Sequence, residues 1–105
     1  MPVACVKKSY AGLTTTGVQP AIAAPTLFNS FAIQLKGASA APTSWTLTLE
    51  GSLDGLNWTT IATHNAADGS TVWAIDKPSA FIRANLSALS LGSAVSVKVD
   101  LAASE

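Results

Sequence analysis

The stretch Ser44-Trp45-Thr46-Leu47-Thr48-Leu49-Glu50-Gly51-Ser52-Leu53-Asp54-Gly55-Leu56-Asn57-Trp58 decides the fold. In its first half Trp45, Leu47 and Leu49 alternate with Thr46, Thr48 and Glu50. Successive side chains of a strand point to opposite faces, so strict alternation marks a strand with one face in a core and one in water. In the second half Asp54-Gly55 supplies a side chain that bonds the local backbone and a residue that tolerates positive φ, which predicts a turn. Trp58 opens a second run with Thr59, Thr60 and Ile61. The unit reads as strand, turn and return strand.

The pattern continues on both sides. Upstream, Phe31, Ile33 and Leu35 alternate with Ala32, Gln34 and Lys36 until Gly37, which predicts a strand. Pro20 and Pro25 bracket Ala21 to Ala24, too short for a helix and expected as an edge strand or extended segment. Leu13-Thr14-Thr15-Thr16 predicts a short strand stopped by Gly17. Residues 1–12 carry Val3, Val6 and Tyr10 among two lysines and form either an arm or a first strand.

Downstream, His64 to Ser70, with Asp68-Gly69, is expected as a turn. Val72 to Ile75 predicts a short strand, Asp76-Lys77-Pro78-Ser79 a turn, and Phe81 to Leu86 another strand. A loop around Gly92 leads to Val95 to Leu101, the cleanest alternation in the chain, and Ala102 to Glu105 is expected to fray. No segment sustains a 3.6-residue period. Seven or eight short strands at turn-punctuated spacing predict an all-β antiparallel sandwich, jelly-roll-like, over residues 13–105.

At 105 residues the chain is one domain, long enough to bury roughly two-thirds of its unfolded surface without a staple. Charged residues make up only 11% against 49% hydrophobic, a surface suited to packing against protein. Net charge is +0, but unevenly spread. Lys7, Lys8 and Lys36 are the only charges before Glu50, whereas the later part holds all six acids. The positive N-terminal part favours an acidic partner surface. No basic stripe interleaved with aromatics exists, so nucleic-acid binding is not expected. Cys5 stands alone, which excludes an internal disulfide, and with four residues before it no lipoprotein signal is expected. No apolar run reaches membrane-spanning length, so no membrane partner is expected.

No motif carries chemistry. His64 is the only histidine and is read as a loop residue; no nucleophile elbow, paired Cys and His, or metal-ligand spacing accompanies it. Asp54 and Asp68 each precede Gly and read as turn residues, without the alternating carboxylates of a calcium loop. Glu50 and Asp54 lack any signature of a general acid and base pair. Asn57-Trp58-Thr59 and Asn85-Leu86-Ser87 match the glycosylation triplet only by chance. The expectation is a protein that is not an enzyme and needs no cofactor and no metal. Trp45 and Trp58 fall at inward positions, while Trp73 is the candidate aromatic for a ligand or an interface.

The blocks Phe31 to Gly37, Trp45 to Trp58 and Phe81 to Asn85 resemble those of small β-sandwich proteins of tailed phages, capsid decoration (cement) proteins among them. The resemblance runs from about Leu13 to Ala103. It implies a virion protein on the capsid surface, made in the host cytoplasm. The implied partners are the major capsid protein and further copies of the chain, a trimer before a dimer. Val3, Val6, Lys7, Lys8, Tyr10 and Leu13 are the candidate contact segment. The Gly-Ser-x-Asp-Gly-x-x-Trp block is also similar to the discoidin, or coagulation-factor type C, domains. That likeness implies a scaffold in which Asp54, Gly55 and Trp58 are structural. From a different class, an exposed Trp73 with polar neighbours fits a carbohydrate-binding or tail-associated adhesion module.

Overall fold

The computed structural model describes residues 5–65 and 69–104, and the side chains of all of these except residues 5, 24–26 and 75–77. Val3, Asp68 and Glu105 lie outside the described residues. The fold is all-β, and the described residues form seven strands: β1 (Cys5–Leu13), β2 (Gly17–Val18), β3 (Ile22–Gly37), β4 (Ser44–Ser52), β5 (Thr59–His64), β6 (Thr71–Ser90) and β7 (Val97–Ser104). Every pairing is antiparallel, in the order β1-β7-β3-β6-β4-β5, with β2 also against β6.

Two long strands turn this single sheet into two layers. The first part of β6 pairs with β3 through Ser79 opposite Phe28, and its second part pairs with β4 from Phe81 to Ser90. Strand β3 follows β6 round the corner, paired with it at Ile22 and Ala23 and again from Phe28 to Gln34, and gains β7 on its other side from Ser30 onward. The inward rows are Phe31, Ile33 and Leu35 of β3 and Val97, Val99 and Leu101 of β7. They join Trp45, Leu47 and Leu49 of β4 and Ile82, Ala84 and Leu86 of β6 in one buried cluster. A lone sheet would leave both faces wet. Burial of one face from both ends of the sheet requires that it closes on itself, as in a sandwich, and the 20 Å short dimension fits two stacked layers.

The prolines explain where the sequence-based boundaries differ. The register of β3 against β6 breaks between Ala23 and Phe28 and again between Phe28 and Ser30. Pro25 lies inside the first break, and Pro78 precedes Ser79, the partner of Phe28. A residue without an N–H is tolerated where the ladder is interrupted. Both prolines therefore mark the corner at which the sheet bends. Residues 76–79 are not a turn and Ile22 to Ala24 are not a separate strand; they belong to strands of 20 and 16 residues, the second of which starts just after Ala21.

Smaller corrections follow from pairing. Thr14 to Thr16 link β1 to β2 instead of forming a strand. Ala102 to Ser104 do not fray, because β7 is a central strand held by β1 on one side and β3 on the other. Val95 stands outside β7 and is exposed.

Candidate functional site

The turn after β4 is built by side chains. Ser52 Oγ accepts the backbone N–H groups of Asp54 at 3.2 Å and Gly55 at 2.8 Å and donates to Asp54 Oδ1 at 2.9 Å. Asp54 Oδ1 accepts the N–H groups of Leu56 and Asn57, both at 2.8 Å. Asn57 Nδ2 donates to Asp54 Oδ2 at 2.7 Å. Gly55 takes φ +78°, a conformation that disfavours any side chain. The carboxyl of Asp54 is held well below the usual carboxylate range, first by the Asn57 and Leu56 N–H groups, then by the Asn57 and Ser52 side chains.

A depressed folded-state pKa contributes stability that is present above the unfolded value, about 4, and is lost as pH falls through the folded one. Asp54→Ala should therefore melt below wild type at neutral pH. The gap should narrow as pH is lowered below about 4, read by thermal melts across an acid series. A gap that stays constant across the series would show that the carboxylate does not hold the turn.

This braced turn presents Leu53 and Leu56, 71% and 82% exposed, to solvent. Beside it runs an open groove of about 620 Å³ lined by Ser52, Asp54, Asn57, Thr59, Thr60 and Pro78, among others. Trp58 departs from the expected core position. It precedes β5 and is half-buried, with the Arg83 guanidinium 4.1 Å over its ring. Arg83 Nε in turn bonds Glu50 Oε1 at 2.6 Å, and the two residues are direct cross-strand partners. Glu50 thus faces Arg83, and the Asp54 carboxylate is engaged within its own turn.

His64 is not a loop residue. The alternation of β5 runs one position further than expected and buries it to 2% exposure, edge-on to Trp45 at 4.7 Å. Its Nε2 lies 2.8 Å from the Ser70 carbonyl, which makes Nε2 the donor, while buried Nδ1 has no partner. Among the described residues no group of three or more His, Cys, Asp or Glu gathers to hold a metal.

The N-terminal candidates divide by exposure. Val6, Tyr10 and Leu13 are half-buried and pack on the core. The Tyr10 hydroxyl donates to the Pro20 carbonyl at 3.1 Å, and burial pushes the phenol up. Lys7 and Lys8 are exposed on the edge strand, where paired cations also discourage the addition of a foreign strand.

Trp73 is 74% exposed on the outer face of the β1-β7-β3-β6 layer. One row of that face reads Lys7, Ala102, Ala32, Trp73 across the four strands, and the next reads Ser9, Asp100, Gln34, Thr71. Trp73 lines two shallow troughs with Ala32 and Ala102 common to both. One, of about 160 Å³, is edged by Lys7, Gln34, Thr71 and Asp100; the other, of about 210 Å³, by Ser30 and Ser104. The outward position of Trp73 follows from period two, since Val72 and Ala74 pack on the core.

No protein-family model and no curated protein matches the chain. Among solved structures, the SPBc2 prophage-derived protein YomS is similar over 100% of this chain and 98% of its own, with TM-score 0.59 and 10% identity. The Yersinia pseudotuberculosis-derived mitogen covers 98% of this chain with 84% of its own, at TM-score 0.46 and 12% identity. The first likeness shows a shared all-β fold.

Proposed function

We propose that this protein is a non-enzymatic structural component of a phage virion that binds the assembled capsid and reinforces it as a homo-oligomer. The observation that carries the reading is a surface of low charge on which apolar side chains stand exposed on braced elements: Leu53 and Leu56 on the capped turn, Trp73 on the part of β6 paired with β3. Rigid presentation lowers the ordering cost of a contact, which suits a body that works by adhesion. The end-to-end fold likeness to a prophage-derived protein and the phage-like blocks of the sequence support the setting.

In this reading the sandwich is a plug across boundaries between capsid subunits. Each contact is modest, and several copies engaging one shell gain avidity. Lys7 and Lys8 supply the positive edge that meets an acidic capsid surface. The double variant Lys7→Glu, Lys8→Glu should keep its melting temperature within a few degrees. It should lose about tenfold or more in binding to shells lacking the protein, measured by co-sedimentation at low salt. Undiminished binding by the folded variant would remove the lysines from the contact.

A further inference from the structure

We propose that the outer face around Trp73 is a self-association surface, on which each of two copies seats its Trp73 indole in the other's alanine-floored trough. Three observations carry it. The first is a knob: a large aromatic side chain 74% exposed on a strand paired directly with β3. The second is a hole on the same patch, the trough of about 210 Å³ floored by Ala32 and Ala102 and edged by Ser30 and Ser104. Small side chains on both middle strands create it, and its volume suits one bicyclic ring. A knob and a hole sharing one patch define a self-complementary contact related by a two-fold axis, whereas a ring of three needs them on different patches.

The third observation is charge. Lys36, Lys98 and Asp100 lie toward one end of this face and Lys7 at its β1 edge, while the described side chains lining the Ser30 and Ser104 trough are uncharged. Interface cores are depleted in charge, so the partner's indole enters at the Ser30 and Ser104 trough, uncharged among the described side chains. The polar groups beside the other trough are partly engaged. Gln34 Nε2 donates to the Gly69 carbonyl, and Asp100 accepts from Ser9 and pairs with Lys98. Those bonds occupy part of the polar rim, and the alanine floor shared by both troughs favours an apolar protein side chain over a glycan.

Size sets the expected strength. Four strands about 4.8 Å apart and about eight residues long give a face of about 500 Å². Two copies then bury about 1,000 Å², the lower limit for a specific interface, which corresponds to a dimer in the micromolar range. The pairing deepens the homo-oligomer part of the proposed function and is tested without any capsid, so capsid binding and pairing can each fail alone.

The experiment is sedimentation equilibrium of the purified chain across about 1–200 μM, a range set to bracket micromolar association. The wild type should convert from monomer to dimer. Trp73→Ala, which removes the knob, and Ala102→Phe, which fills the hole and leaves Trp73 in place, should each stay monomeric while keeping the wild-type circular dichroism spectrum. A monomeric wild type overturns the proposal. So does a trimer, or a dimer that either folded variant retains. Saturable binding of an oligosaccharide series by a monomeric wild type, abolished in Trp73→Ala, would overturn it in favour of a glycan site.

Discussion

Leu47→Ala is expected to lower the unfolding free energy by about 2–5 kcal/mol, read as a shifted midpoint in urea with an unchanged slope. Leu47 has no exposed surface and sits at the middle of β4, opposite His64 of β5 and Leu86 of β6. Truncation removes its dispersion contacts and leaves a cavity that three paired strands cannot close by moving independently. It also loosens the neighbourhood of Trp45 and His64, whose edge-on contact lies on the same two strands. A domain of this size holds about 5–15 kcal/mol in all, so the variant forfeits roughly a fifth to a half of a typical value. The corresponding fall in melting temperature is roughly 10–30 °C. Leu56→Ala, a leucine of the same size on the exposed turn, should stay within about 0.5 kcal/mol of wild type. Equal effects at the two positions would mean that the β4 face is not a core.

The rows that build this core were readable because alternation is a local property. Trp45, Leu47 and Leu49 face inward as the pattern requires, and so do Phe31, Ile33, Leu35, Val97, Val99 and Leu101. The same parity places Trp73 outside, since its neighbours Val72 and Ala74 pack inward. What alternation could not convey was pairing. Nothing near Pro25 or Pro78 announces that each lies beside a register break shared by β3 and β6, so a sheet corner looked like a boundary and a turn. The ion pair of Glu50 with Arg83 and the packing of Arg83 on Trp58 depend on the register of β4 against β6, which no spacing within either strand encodes. His64 was missed because a lone polar residue at the end of a run looks like loop. Its parity with Ala62, and the aromatic two residues before its cross-strand partner Leu47, were the available signals. The braced turn was legible from Ser52, Asp54 and Gly55 themselves, because its hydrogen bonds are local.

Removing residues 1–12 should destabilise the whole fold instead of merely disarming a contact segment. Strand β1 is in register with β7 from Cys5 to Tyr10 and again at Leu13, so the deletion converts a central strand into an edge. Val6 and Tyr10 leave the core, at about 1 kcal/mol each for half-buried apolar groups. Several ladder hydrogen bonds go with them, at about 1 kcal/mol net apiece. Val97, Val99 and Leu101, now fully buried, lose the neighbour that shields one side. The total reaches about 5 kcal/mol, comparable with the whole stability of many small domains. The new edge also lacks the exposed Lys7 and Lys8, so the truncated chain should aggregate by strand addition. Dichroism melts and light scattering of the truncated protein read both effects. Loss of capsid binding by such a variant would then report unfolding, which is why charge reversal at Lys7 and Lys8 is the informative experiment. A truncated chain that still melts cooperatively within a few degrees of wild type would make β1 a separable arm.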